Sequence, residues 1–88
     1  MNKYEQVPEC IIDFHGYTTR EAEAELSRLL KNNQYAHIRI ITGTGSHRGS
    51  SPILREYVKM YLLSRGIRFN PSKREHGGDG ALEVFIVQ

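Results

Sequence analysis

Short apolar runs alternate with polar stretches along this chain, and the spacing inside the runs switches between two periods. Cys10-Ile11-Ile12-Asp13-Phe14 is too brief for a helix and rich in strand formers, which predicts a first strand. Gly16 breaks it. Thr18 and Glu21 then have the spacing of a capping box, so a helix is expected to start there, with Ala22, Leu26, Leu29 and Leu30 as its apolar stripe and Asn32-Asn33 as its end. His37 to Ile41 predicts a second strand. It runs into the stretch from Thr42 to Ser51, whose glycines oppose any regular element. Ser51-Pro52 is a helix start signal, a capping hydroxyl followed by a residue with no amide to satisfy. Ile53, Leu54, Tyr57, Val58, Tyr61 and Leu62 form the apolar face of that second helix, which Gly66 closes. Ile67 to Asn70 predicts a third strand, stopped by Pro71. After a polar, glycine-rich loop from Ser72 to Gly80, Ala81 to Val87 alternates Leu82, Val84 and Ile86 with Glu83, Phe85 and Val87 as a fourth strand.

The order is βαβαββ, which predicts an α/β fold of two layers: an α+β sandwich of a four-stranded mixed sheet and two helices. Strand-helix-strand units cross over right-handed with their strands parallel, so the first three strands should point the same way. The fourth, joined to the third without a helix, should run antiparallel. Three segments then meet at one sheet edge: Asp13 to Gly16, the Thr42 to Ser51 loop, and the Ser72 to Gly80 loop.

Eighty-eight residues make one domain, read as a short N-terminal segment over 1–9 and a folded unit over 10–88. The single Cys10 excludes an internal disulfide and a multi-cysteine zinc site, and it reads as a small core residue. No apolar run approaches the roughly 20 residues of a membrane span. A cytoplasmic monomer without membrane contact is expected. Net charge is +2, and it is uneven: residues 1–35 carry −2 and residues 36–88 carry +4, which makes the second half the anion-facing one.

Each segment at the predicted edge carries chemistry. Asp13 and His15 stand two apart in an extended run, so both project to one side while Ile12 and Phe14 project to the other. An acid beside an imidazole can orient its tautomer and support proton transfer. Thr42-Gly43-Thr44-Gly45 offers backbone amides to an anion, with His47 and Arg48 following. It is neither a Walker loop nor a dinucleotide fingerprint, since no Gly-Lys-Ser/Thr follows and Pro52 delays the helix. The third loop adds Lys73, Arg74, His76 and Gly78, whose cations suit phosphodiester oxygens. Taken alone, the Asp13–His15 pair and the third loop read first as solvent-facing connections, and the glycine loop reads equally as such a connection or as a phosphate cradle. Together they describe a phosphodiester site. Tyr17, just beyond His15, could stack on a base, whereas Tyr57 and Tyr61 have helical spacing and read as packing residues.

Ile11-Ile12-Asp13-Phe14-His15-Gly16, Ile41-Thr42-Gly43-Thr44-Gly45 and Gly77-Gly78-Asp79-Gly80-Ala81-Leu82-Glu83-Val84, in this order, resemble the small MutS-related (Smr) domain family. The first is similar to that family's Leu-Asp-Leu-His-Gly signature, with Ile12 and Phe14 in place of leucines on the packing side. The resemblance implies a fold like the C-terminal domain of translation initiation factor three, and endonuclease activity on RNA or DNA. Asp13 and His15 would be the catalytic pair, and Thr42 to Gly45, His47, Arg48, Lys73, Arg74, His76 and Gly78 would hold the nucleic acid. RNA is favoured over DNA, and a ribosome is a further partner the family suggests. No cofactor and no dedicated metal site are expected, with a divalent ion left open. The rival reading is a non-catalytic module that binds nucleic acid or ribosomes through the same basic edge.

Overall fold

A computed structural model gives the architecture and describes residues 7–32, 34–43, 52–73 and 80–86. Its elements are β1 (Cys10–Asp13), α1 (Thr19–Asn32), β2 (His37–Ile41), α2 (Pro52–Ser64), β3 (Arg68–Pro71) and β4 (Ala81–Phe85). The sheet order is β1-β2-β4-β3. β1 and β2 are parallel, and β4 runs antiparallel to both β2 and β3, so β1, β2 and β3 share a direction as expected.

Local chemistry sets the helix ends. Thr18 N–H donates to Glu21 Oε1 at 2.8 Å while Glu21 N–H donates to Thr18 Oγ1 at 3.1 Å, which is the capping box read from the sequence. At the far end of α2, Gly66 adopts a φ of +69°. Its amide donates to the Leu63 carbonyl and that of Ile67 to the Leu62 carbonyl, the paired bonds of a Schellman stop. β3 takes in Pro71 instead of stopping before it. As the edge strand it pairs with β4 alone, so an amide missing from one position is tolerated.

One face of the sheet carries the core. Phe14, Ile38, Ile40, Leu82 and Val84 pack with Ala22, Leu26 and Leu29 of α1 and with Leu54, Val58, Tyr61 and Leu62 of α2. Cys10 is half-buried against this cluster, and Tyr57 and Tyr61 pack as expected, with ring centroids 6.3 Å apart. The second face of the central strands is also closed to solvent, but with polar groups: Arg39 on β2 and Glu83 on β4 are both buried. Simple alternation along β4 did not anticipate a buried carboxylate. Among the described residues, no helix is long and apolar enough to cross a membrane.

Candidate functional site

The end of β1 is shaped by a tight turn. Tyr17 N–H donates to the Phe14 carbonyl at 2.8 Å, and Gly16 has a φ of +85°. This is a four-residue turn whose third position needs positive φ, which explains a glycine there. His15 occupies the second position, at the exposed corner. Below it, Phe14 is fully buried, and its amide donates to the Ile41 carbonyl, tying the turn to β2.

Asp13 makes a contact other than the one expected. Its Oδ1 accepts the backbone N–H of His15 at 2.8 Å, so the carboxylate fixes the corner through the main chain. Among the described residues this amide is its hydrogen-bond partner, and Asp13 acts on His15 by holding the peptide that carries the ring. Asp13→Asn keeps an acceptor oxygen and should leave hydrogen exchange at the His15 amide close to wild type. Asp13→Ala should speed it by about five-fold, since one hydrogen bond is worth about 1 kcal/mol. Equal exchange in both variants would show that the carboxylate does not hold the turn.

The second segment is clamped to the third. Thr42 N–H and Gly43 N–H both donate to the Gly80 carbonyl, at 2.8 and 3.0 Å. Thr42 is fully buried, and Gly43 has a φ of +85°. The amide of Gly43 was expected to face an anion; it is spent instead on joining the ends of β2 and β4. On the other side of β4, Ser72 N–H donates to the Ala81 carbonyl at 3.1 Å, so the two ends of the third loop lie side by side, with exposed Lys73 at its root. The turn carrying His15, the start of the glycine loop and both ends of the third loop therefore do gather at one sheet edge. Thr44, Gly45, His47, Arg48, Arg74, His76 and Gly78 lie outside the described residues.

A buried network underpins this edge. Glu83 is fully buried and accepts from Ser72 Oγ at 2.5 Å, His37 Nε2 at 2.6 Å and Arg39 Nε at 2.7 Å. Burial is the largest influence on its carboxyl and pushes the pKa up. The hydrogen bonds from Ser72, Arg39 and His37, with the charge of Arg39, outweigh it and hold the group below the ordinary glutamate range. His37 also lies against Phe85, with ring centroids 4.7 Å apart, and the Arg68 guanidinium sits 5.2 Å from the centroid of the same Phe85 ring. His37 is half-buried, and the sequence pattern alone does not single out Glu83 or Ser72. The usable signal was the opposite charge of Arg39 and Glu83, but only the sheet order puts them directly across from each other. Arg55, in the first turn of α2, is a further half-buried cation, and among the described residues its Nε has no hydrogen-bond partner. α2 begins where the glycine loop returns, so this turn belongs to the same end of the fold. Among the described residues no three His, Cys, Asp or Glu side chains cluster as metal ligands.

The profile of the Smr domain matches residues 12–87. The ribosome rescue factor SmrB of Tolumonas auensis is 27% identical over 90 residues, covering 100% of this chain and 51% of that protein, so the chain spans about half the length of such relatives. The crystal structure of the human small-MutS related domain superposes with a TM-score of 0.65 at 29% identity, over 86% of this chain and 99% of that one. The Smr domain of Thermus thermophilus MutS2 shares the fold, with a TM-score of 0.75 at 22% identity over 89% of this chain and 98% of its own. From its first strand through its last, with the Asp-x-His turn at one end of the sheet, this chain belongs to the Smr domain family.

Proposed function

We propose that this domain is an endonuclease that breaks a phosphodiester bond of nucleic acid, with RNA as the preferred substrate. The observation that carries the reading is the placement of His15: an exposed imidazole on a turn locked by Asp13, at the edge where the glycine loop and the cationic third loop begin. His15 removes the proton of the attacking hydroxyl or supplies one to the leaving oxygen. Asp13 is a positioning residue that acts through the His15 amide. Lys73 and Arg55 supply positive charge at this end of the fold, and Arg48, Arg74, His47 and His76 add to it in sequence. With the Gly43 amide committed to Gly80, negative charge developing on the phosphoryl oxygens is met by these cations. The name of the Tolumonas relative, a ribosome rescue factor, supports putting RNA first.

The test is incubation of the 88-residue chain with end-labelled single- and double-stranded RNA and DNA, in chelator and with added magnesium or manganese. Shortened RNA is expected, and it should form in chelator as well. A cyclic phosphate at the new 3′ end would identify attack by the 2′-hydroxyl, and a 3′-hydroxyl paired with a 5′-phosphate would identify water. Absence of product on all four substrates overturns the reading, and product only with metal overturns its metal-free chemistry. One observation favours the non-catalytic rival: the engaged Gly43 amide removes a donor that a cleavage site would use. That rival predicts binding without product.

A further inference from the structure

Tyr17 is two residues beyond His15, at the last position of the same turn. Its ring lies on that of Phe14, with centroids 5.0 Å apart and planes 12° from parallel. Phe14 is fully buried, so one face of Tyr17 rests on an immobile support, yet the residue remains 36% exposed. Its backbone is held as firmly, by the bond to the Phe14 carbonyl on one side and the Thr18–Glu21 capping box on the other. The other described tyrosines behave differently: Tyr61 is buried, and Tyr35 and Tyr57 are half-buried against the core. A tyrosine needed only for packing would be sunk like these. What Tyr17 presents is a pre-set aromatic surface with half of a parallel stack already built, in the same turn as His15.

We propose that Tyr17 seats an unpaired nucleobase beside the bond that His15 acts on, which makes single-stranded nucleic acid the substrate class at this point. The inference rests on the reading of His15 as the acid-base group. A base inside a duplex has both faces covered by its neighbours, so it reaches Tyr17 only when unstacked. Every base has a flat π face, so the seat selects for an unpaired strand and not for one base. Lys73 and Arg55, at the same end of the fold, supply positive charge for the flanking phosphates, and Tyr17 fixes the register of the strand.

The experiment uses two readouts. The sequence contains no tryptophan, so a Tyr17→Trp variant has a single indole at the seat. Its fluorescence should be quenched by a single-stranded 2′-O-methyl RNA 12-mer, which cannot be cut by its own 2′-oxygen, and should be unchanged by a blunt duplex of the same sequence. In cleavage of a single-stranded RNA, Tyr17→Ala should raise KM by about ten-fold with kcat nearly unchanged. Tyr17→Phe should behave as wild type and should share the wild-type melting midpoint. An abasic nucleotide next to the cut should cost the wild type the same ten-fold and cost Tyr17→Ala nothing more. Quenching without cleavage in any variant keeps the seat and removes the nuclease reading. Wild-type KM in Tyr17→Ala, equal quenching by duplex, or an abasic penalty that persists in Tyr17→Ala overturns the seat while leaving the nuclease reading intact.

Discussion

His15→Ala should lower the rate of RNA cleavage by about 100- to 10,000-fold, the range set by removing a positioned acid-base group. The expected loss is chemical and not structural. His15 is exposed at the corner of its turn, and the turn is held by the Phe14 carbonyl, by Gly16 and by the Asp13 carboxylate on the main-chain amide, none of which needs the imidazole. Stability should therefore change by no more than about 0.5 kcal/mol, as for other surface substitutions. Affinity for uncut RNA should stay within about two- to three-fold, because the phosphate contacts come from other residues. Gel-shift titration beside single-turnover cleavage separates the two quantities. A variant that cuts at the wild-type rate would remove His15 from the chemistry, and one that binds no RNA would recast it as a contact residue.

Glu83→Ala should be the most destabilising single change, by about 3 to 5 kcal/mol at neutral pH. Three donors converge on a carboxylate with no exposure, and Arg39, itself 8% exposed, loses the group its Nε donates to. A domain of this size has about 4 to 13 kcal/mol in total at the usual stability per residue, so the variant should lie near the unfolding threshold. Denaturant titration measures the loss, and a change under about 1 kcal/mol would show that the network adds little. The pH dependence has a definite sign. Glu83 has a folded pKa below its unfolded value, so its contribution is present above the unfolded value and is lost as pH falls through the folded one. Wild-type stability should decline on acidification from about pH 4.5 downward, and Glu83→Gln should lack that part of the slope. The same network holds Ser72, so its loss also loosens the root of the cationic loop.

The elements, their order and the common direction of β1, β2 and β3 were legible because their signals are local or follow from connection handedness. Thr18 with Glu21 and Gly66 announce helix ends within a few residues of themselves. The gathering of His15, Gly43 and Lys73 at one end followed from topology alone. What the sequence could not show is which atom a polar group answers. Asp13 has both the imidazole and the amide of His15 within chemical reach, and only backbone geometry selects the amide. Gly43 looked free for an anion because the carbonyl that takes its proton belongs to Gly80, across the sheet. Alternation puts Glu83 on the side opposite Leu82 and Val84 but reports side and not coverage, and coverage depends on β4 lying between β2 and β3.

That placement also governs how the nascent chain completes itself. β4 is the last of the sheet's four described strands in chain order, yet it bridges two made earlier, pairing Ile38 with Val84 on one side and Phe69 with Val84 on the other. Until it arrives, β2 is paired on its β1 side alone and β3 has no strand neighbour. An unfinished polypeptide that stops before Ala81 presents two open templates for pairing with other molecules, so premature termination in this fold yields an aggregation-prone species and not a smaller working domain.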